Sequence, residues 1–104
     1  MSDVYSTRLV AAHDQPGSTP LTYVVPAGKT LVIRCIDGYA GPTALGVTFY
    51  AKGSAGQVFA SASGAALGVS QLTWRGREVL YAGETFSLEA DDTADLTASG
   101  YLLS

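Results

Sequence analysis

Charged residues are scarce in this chain. Asp, Glu, Lys and Arg make up 14% of its 104 residues, whereas about 25% is typical of a globular domain. The six basic residues are scattered and the net charge is −3. Because phosphate binding needs clustered Lys and Arg, a nucleic-acid partner is not expected. A surface left largely to Ala, Gly, Ser and Thr suits contact with another protein surface, although a soluble monomer is an equally open alternative on composition alone.

Reactive side chains are equally few, with one Cys and one His. Cys35 lies in an apolar run, where a free Cys usually behaves as a small hydrophobe. The nucleophile elbow, the phosphate-binding loop and the dinucleotide-binding motif are all missing. His13 and Asp14 are adjacent, so on a strand they are expected on opposite faces. No motif supports a Cys35–His13 nucleophile pair, and the sequence predicts neither an enzyme nor a cofactor site.

Targeting and membrane signals are also missing. The segment Met1–Tyr5 has no basic region followed by an apolar stretch, so it does not resemble a signal peptide. No apolar run approaches the roughly 18 residues of a membrane span. We therefore expect synthesis in the cytoplasm without a signal peptide, and no membrane partner.

Short strand-like stretches recur about every ten residues, separated by Gly- and Pro-containing turns. They are Val4–His13, Leu21–Val25, Thr30–Asp37, Gly46–Lys52, Gln57–Ser63, Val69–Trp74, Glu78–Tyr81, Thr85–Ala90 and Asp95–Leu103. No helical periodicity with a capping box interrupts them. This pattern predicts an all-β chain, in which residues 1–104 form a single-domain antiparallel β-sandwich. We interpret residues 1–20 as an assembly arm or an edge strand.

One internal similarity sharpens the fold prediction. The segments 24–34 and 79–89 share an apolar strand end, an Ala-Gly turn followed by a charged residue and Thr, and then an alternating strand. Gly28 and Gly83 would each close a type I turn, with Pro26 second in the first turn. Two equivalent corners half a domain apart fit the double Greek key of a jelly roll. The alternative is a chance match, because Ala-Gly turns are common in β proteins.

The same superposition assigns faces and suggests an interface. It places Phe86, Leu88 and Ala90 inward, and with them Leu31, Ile33 and Cys35. Val32 and Ile36 then face away from the core, where a loop, the N-terminal segment or another subunit would cover them. The alternative is an exposed apolar pair, because isolated apolar residues are ordinary on protein surfaces. The predicted interface therefore comprises Val32, Ile36, and Val4 and Tyr5 of the N-terminal segment.

Two further sets of residues suggest ligands weakly. Glu89, Asp91, Asp92 and Asp95 supply the oxygen ligands that Ca²⁺ prefers, but they lack the spacing of a calcium loop and also fit a solvated turn. The sequence therefore predicts no metal site. Trp74 could stack on a sugar, although a single Trp in a small β domain is more often part of the core.

The second half of the chain carries the most specific pattern. The run Trp74–Thr85 contains Trp-Arg-Gly-Arg, and Ser99-Gly100-Tyr101-Leu102 follows near the end. Together with Val24–Arg34, these segments resemble small structural proteins of tailed-bacteriophage virions, over about residues 21–103. The resemblance implies an accessory β-sandwich of the particle, either a capsid decoration or a tail component, with no catalytic residues.

These observations lead to one functional expectation and one alternative. We expect a virion structural protein that forms a homo-oligomer and docks on another virion protein, such as the major capsid or tail protein. The alternative is a carbohydrate- or receptor-binding module that uses Trp74. A small enzyme is a third class, with nothing in the sequence to favour it.

Overall fold

A computed structural model describes residues 7–104 of the chain. Its strands are β1 (Thr7–Gln15), β2 (Leu21–Val24), β3 (Thr30–Ala40), β4 (Thr48–Lys52), β5 (Val58–Ser63), β6 (Ser70–Tyr81), β7 (Thr85–Ala90) and β8 (Ala94–Leu103). A short 3-10 turn, Ser54–Gly56, precedes β5. Within the described residues, no helix is long and apolar enough to cross a membrane.

The strands form two four-stranded antiparallel sheets. The orders are β1-β8-β3-β6 in the first sheet and β2-β7-β4-β5 in the second. The pairs β1–β8, β2–β7, β3–β6 and β4–β5 nest inside one another, as if a single long hairpin had been rolled up. This is the arrangement of a jelly roll. The predicted all-β, jelly-roll-like sandwich is therefore confirmed.

The core lies between the two sheets and is built from alternating strand positions. Phe86 and Leu88 of β7 are completely buried and Ala90 nearly so, as the alternation predicts. They meet Leu31 and Ile33 of β3 and Phe49 of β4 in one cluster. Each such Leu, Ile or Phe contributes about 1.5–3 kcal/mol through removal of apolar surface from water.

The two Ala-Gly corners are structurally equivalent, and they touch. Lys29 N donates to Pro26 O at 3.2 Å, and Glu84 N donates to Tyr81 O at 3.0 Å. Gly28 and Gly83 are third in their turns with φ of 76° and 86°, which is the signature of a type II turn. The predicted type I turns, with Gly last and Pro26 second, are therefore wrong by one position.

Hydrogen bonds join these corners where the chain crosses between the sheets. Val25 N donates to Glu84 O at 2.9 Å, and Gly83 N donates to Val25 O at 3.0 Å. The internal similarity in the sequence thus marks two neighbouring turns at one end of the sandwich.

A β-bulge at Arg34 overturns half of the predicted faces of β3. The register shifts between Ile33 and Cys35 against both β6 and β8, and a bulge changes which side the following residues take. Ile36 is therefore in the core with 0% of its surface exposed, so its predicted outward position is wrong. Cys35, predicted inward, is only half-buried.

Val32 precedes the bulge, and no part of it is exposed either. It lies on the opposite side of β3 from Leu31 and Ile33, between Val79 of β6 and Tyr101 of β8. Residues directly opposite in an antiparallel pair share a face, so these neighbours flank it. Neither Val32 nor Ile36 presents apolar surface. The other predicted interface residues, Val4 and Tyr5, lie outside the described residues.

Strand β6 is continuous where the sequence predicts a break. Residues 70–74 and 78–81 of the two predicted stretches belong to one strand that passes through Arg75, Gly76 and Arg77. Gly76 leaves space within it, because a Cβ there would lie 2.8 Å from Cζ2 of Trp74. The glycine makes room for an indole ring rather than ending the strand.

Candidate functional site

The end of β1 brings together a histidine and two carboxylates. The register against β8 shifts between Ala12 and Gln15, and Asp14 adopts a left-handed φ of 54°, which Asp tolerates better than most residues. His13 Nδ1 lies 2.8 Å from Asp95 Oδ1, and His13 Nε2 lies 3.3 Å from Asp14 Oδ2. The expected separation of His13 and Asp14 onto opposite faces is therefore wrong.

In the described residues 7–104, His13, Asp14 and Asp95 each offer one ligand atom, and these atoms lie within 4.8 Å of one another. That spacing is short enough to consider a metal ion. The two carboxylates, however, contact opposite nitrogens of the imidazole ring. A cation on Nδ1 would meet Asp95 but not Asp14. As placed, the imidazole is held between two carboxylates and joins the end of β1 to the start of β8, while Asp14 N adds a 2.9 Å hydrogen bond to Asp95.

The four predicted calcium candidates serve separate local contacts. Glu89 pairs with Lys52 at 3.3 Å. Asp91 accepts a hydrogen bond from Thr48 N at 2.9 Å, and Asp92 accepts one from Thr93 N at 2.7 Å. No three of these four acids come within metal-binding range of one another in the described part of the chain. The solvated-turn interpretation describes their contacts better.

Trp74 is engaged in packing at the edge where β5 and β6 approach. Its ring meets Phe59 edge-to-face, with centroids 5.2 Å apart and planes at 70°. Such a pair contributes about 0.5–1.5 kcal/mol beyond its buried area. The ring is half-buried against the core, which favours the structural interpretation. Sugar stacking by Trp74 stays a prediction.

The outer side of the first sheet carries mainly polar side chains, and we call it the polar face. Here a shallow depression of about 330 Å³ is lined by Asp37, Tyr39, Gln71, Thr73, Asp95 and Thr97. Tyr39 is 47% exposed. Arg75 Nη2 holds Asp37 through contacts of 3.1 and 3.3 Å to its two carboxylate oxygens. The face combines an accessible aromatic ring with amide, hydroxyl and carboxylate groups, a set that can bind a polyhydroxylated ligand.

The most exposed apolar side chains lie at one end of the sandwich. Leu45 and Leu67 are 90% and 77% exposed, and their loops are joined by a 2.7 Å hydrogen bond from Leu67 N to Thr43 O. We call this end, formed by residues 41–47, 64–69 and 91–93, the leucine end. Leu45 shares a depression of about 220 Å³ with Asp91 and Asp92.

The leucine end is not among the interface residues predicted from the sequence. Those predictions rest on strand alternation and the N-terminal segment, whereas loops have no periodicity from which exposure can be derived. One available signal is that Leu45 and Leu67 are large apolar residues in otherwise small, uncharged loop segments.

At the opposite end, Glu84 braces the second Ala-Gly corner. It accepts hydrogen bonds from the hydroxyl of Ser54 and from Tyr81 N, the latter at 2.7 Å. The Ser54 hydrogen bond, followed by that from Tyr81, lowers the pKa of the Glu84 carboxyl below its ordinary value, because both donors favour the charged form. This contact ties the 3-10 turn to the corner and is structural.

Comparison with known proteins finds no matching family model and no match among curated proteins. The function proposed below is therefore inferred from the geometry of the leucine end and the polar face, together with the sequence pattern.

Proposed function

We propose that this chain is an accessory structural protein of a bacteriophage virion, which self-associates and docks on the capsid surface or on the tail. The observation that carries the proposal is the pair of exposed leucines on hydrogen-bonded loops at one end of the sandwich. Large apolar side chains exposed on adjoining loops are typical of contact surfaces. The jelly-roll fold is used by capsid proteins, although a fold alone does not determine function.

The low surface charge of the chain and the symmetry of a virion would together stabilise a small apolar contact. An apolar contact gains roughly 25 cal/mol per Å² removed from water, but association has entropic costs that a small interface barely exceeds. A particle presents many equivalent sites, and simultaneous contacts between neighbouring copies raise the overall affinity. A weakly charged surface lets those copies approach without strong repulsion.

Quantitative mass spectrometry of purified virions tests the proposal. Virions of the phage that encodes this chain should contain its peptides in a fixed ratio of many copies per particle. Host cytoplasmic proteins of similar abundance in the lysate serve as the contamination control. Absence from the virion, or a ratio that follows contamination, would contradict a structural role.

Self-association is tested separately. Size-exclusion chromatography with light scattering, over a wide range of concentrations, should show species larger than the 10.7 kDa monomer. A strictly monomeric protein at the highest concentration would remove intrinsic self-association from the proposal.

The polar face supports a second candidate, a carbohydrate-binding module. Tyr39 and its surrounding Gln71, Thr73 and Thr97 favour this candidate more than Trp74 does, because Tyr39 has an accessible ring. Sugars bind through stacking on aromatic rings and hydrogen bonds to their hydroxyls. A glycan array with wild type and Tyr39→Ala should give binding that the substitution abolishes, and no bound glycan would dismiss this candidate.

A further inference from the structure

We infer that the leucine end binds in an apolar pocket with a positively charged rim on a different protein of the virion. This inference rests on the proposed function, and it names the docking surface and the chemistry of the partner. Three features support it: the exposure of the leucines, the backbone that holds them, and the distribution of charge at this end.

The loops of the leucine end hold apolar side chains outward in fixed positions. Leu67 has a φ of 63°, a conformation that Leu rarely adopts and that surrounding structure must maintain. Its N–H bonds to Thr43 O at 2.7 Å, and Gly64 N donates to Val47 O at 3.0 Å. Gly64 and Gly46 approach so closely that a Cβ on Gly46 would lie 2.3 Å from Gly64 O. The leucines are therefore presented by a braced pair of loops.

Charge at this end has a single sign. The leucine end and the neighbouring connection 16–20 contain Asp91 and Asp92 and no Lys or Arg. In the described part of the chain, the connections at the opposite end, 25–29, 53–57 and 82–84, contain one charge of each sign, Lys29 and Glu84. Asp91 and Asp92 border the same depression as Leu45. A partner with basic residues around an apolar pocket complements this pattern, because opposite charges steer and orient association.

Other occupants fit less well. Two copies joined by their leucine ends would bring four aspartates together, and like charges across an interface oppose association. A flat contact would reach only the tips of these loops. A concave pocket can also contact the sides of the loops. An anionic membrane surface attracts basic segments, and this end has none.

Rebinding to particles tests the inference. The probe is particles from a phage that lacks this gene, titrated with labelled purified chain. We expect Leu45→Ser and Leu67→Ser each to weaken binding about tenfold or more, as for central apolar contacts. Val24→Ser is the matched control, because Val24 is 59% exposed but lies at the opposite end, and it should bind within about twofold of wild type.

Two further variants separate docking from folding and test charge. Leu67→Asn places a residue that tolerates a positive φ at this position, so it should fold as well as wild type and still bind about tenfold more weakly. Asp91→Asn combined with Asp92→Asn keeps acceptor oxygens for Thr48 N and Thr93 N. This double variant should bind more weakly than wild type at low salt, and its binding should depend less on ionic strength.

The possible results are distinguishable. If wild type binds particles and the leucine variants bind equally well, the inference is overturned while the proposed function stands. If wild type fails to bind and is absent from virions, both fall. Binding to vesicles of phosphatidylcholine and phosphatidylglycerol, or a dimer lost in the leucine variants, would assign the leucine end to lipid or to a second copy and would also overturn the inference.

Discussion

At the residue scale, Gly100 of β8 packs tightly against the backbone of β3. A Cβ on this residue would lie 2.1 Å from Val32 O and 3.0 Å from Ile33 Cα. These are backbone atoms of β3, where the bulge begins, so they cannot move aside as a side chain can.

Gly100→Ala should therefore destabilise the protein by about 1–3 kcal/mol, the usual effect of overpacking. Gly41→Ala is the control, because a Cβ there meets no atom within 4 Å, and it should be close to neutral. Urea unfolding of both variants measures the difference. Equal stability of the two variants would show that β3 and β8 do not approach this closely.

A second residue-scale prediction concerns Glu84 and pH. Its pKa in the folded protein is lowered by hydrogen bonds from Ser54 and then Tyr81, so the folded state binds a proton at this carboxyl less readily than the unfolded state does. The contribution of Glu84 to stability is therefore fully present above the unfolded pKa, and it is lost as the pH falls through the lowered folded pKa.

Glu84→Gln should lower the urea midpoint at pH 7 and leave it closer to that of wild type at pH 3. Ser54→Ala removes the larger cause and should reproduce part of the effect. A Glu84→Gln deficit that is the same at both pH values would contradict a role for the ionised carboxyl.

At the element scale, the bulge in β3 predicts unequal effects of substitution at two adjacent residues, Ile36 and Cys35. Ile36→Ala should cost about 2–5 kcal/mol, because it leaves a cavity in the core. Cys35→Ser should change stability by less than about 1 kcal/mol, because Cys35 lies on the outer side and is half-buried. Thermal or urea unfolding distinguishes them. The reverse order of effects would mean that β3 alternates without a bulge.

Which elements can be predicted from the sequence depends on whether alternation continues unbroken. Strand β7 alternates throughout, so Phe86 and Leu88 are predicted inward and are found there. In β3 and at the end of β1, register shifts move Ile36 and Asp14 to unexpected sides. A bulge depends on pairing with distant strands and has no reliable local signature, so no inspection of residues 30–40 alone would reveal it.

The two Ala-Gly corners and the leucine end could likewise be predicted only in part from the sequence. Glycine positions revealed both corners, but the turn register was off by one, because Pro26 is compatible with more than one turn position. Leu45 and Leu67 become a pair only when two loops distant in sequence meet at one end. That proximity follows from the jelly-roll pairing and not from the loop sequences.

At the scale of the whole molecule, the nested pairing makes β8 indispensable. It lies between β1 and β3, and its Ala94, Leu96 and Ala98 are part of the core. A chain that lacks residues 94–104 should show no cooperative unfolding transition, since β1 loses its only partner in the described sheet. A chain that lacks only Ser104 loses one exposed hydrogen bond, 3.1 Å from Lys29 Nζ to Ser104 Oγ, and should fold normally. A folded and cooperative chain without β8 would contradict the assigned topology.

Pairing between the first and last strands also affects the folding rate. Contacts between residues far apart in the sequence require closure of long loops before they stabilise the chain. Refolding followed by stopped-flow Trp74 fluorescence should therefore take milliseconds to seconds, as for other β-sandwiches. A refolding time of microseconds would indicate that local contacts dominate instead.

The most direct test of the proposed docking on a virion is a cryo-electron microscopy reconstruction of that particle. We predict density for many copies of an eight-stranded jelly roll, each with its leucine end inserted in a pocket of a neighbouring virion protein that has Lys or Arg at the rim. Density in which Leu45 and Leu67 face solvent would contradict the assigned docking surface. A reconstruction at similar resolution without any such domain would contradict the structural role itself.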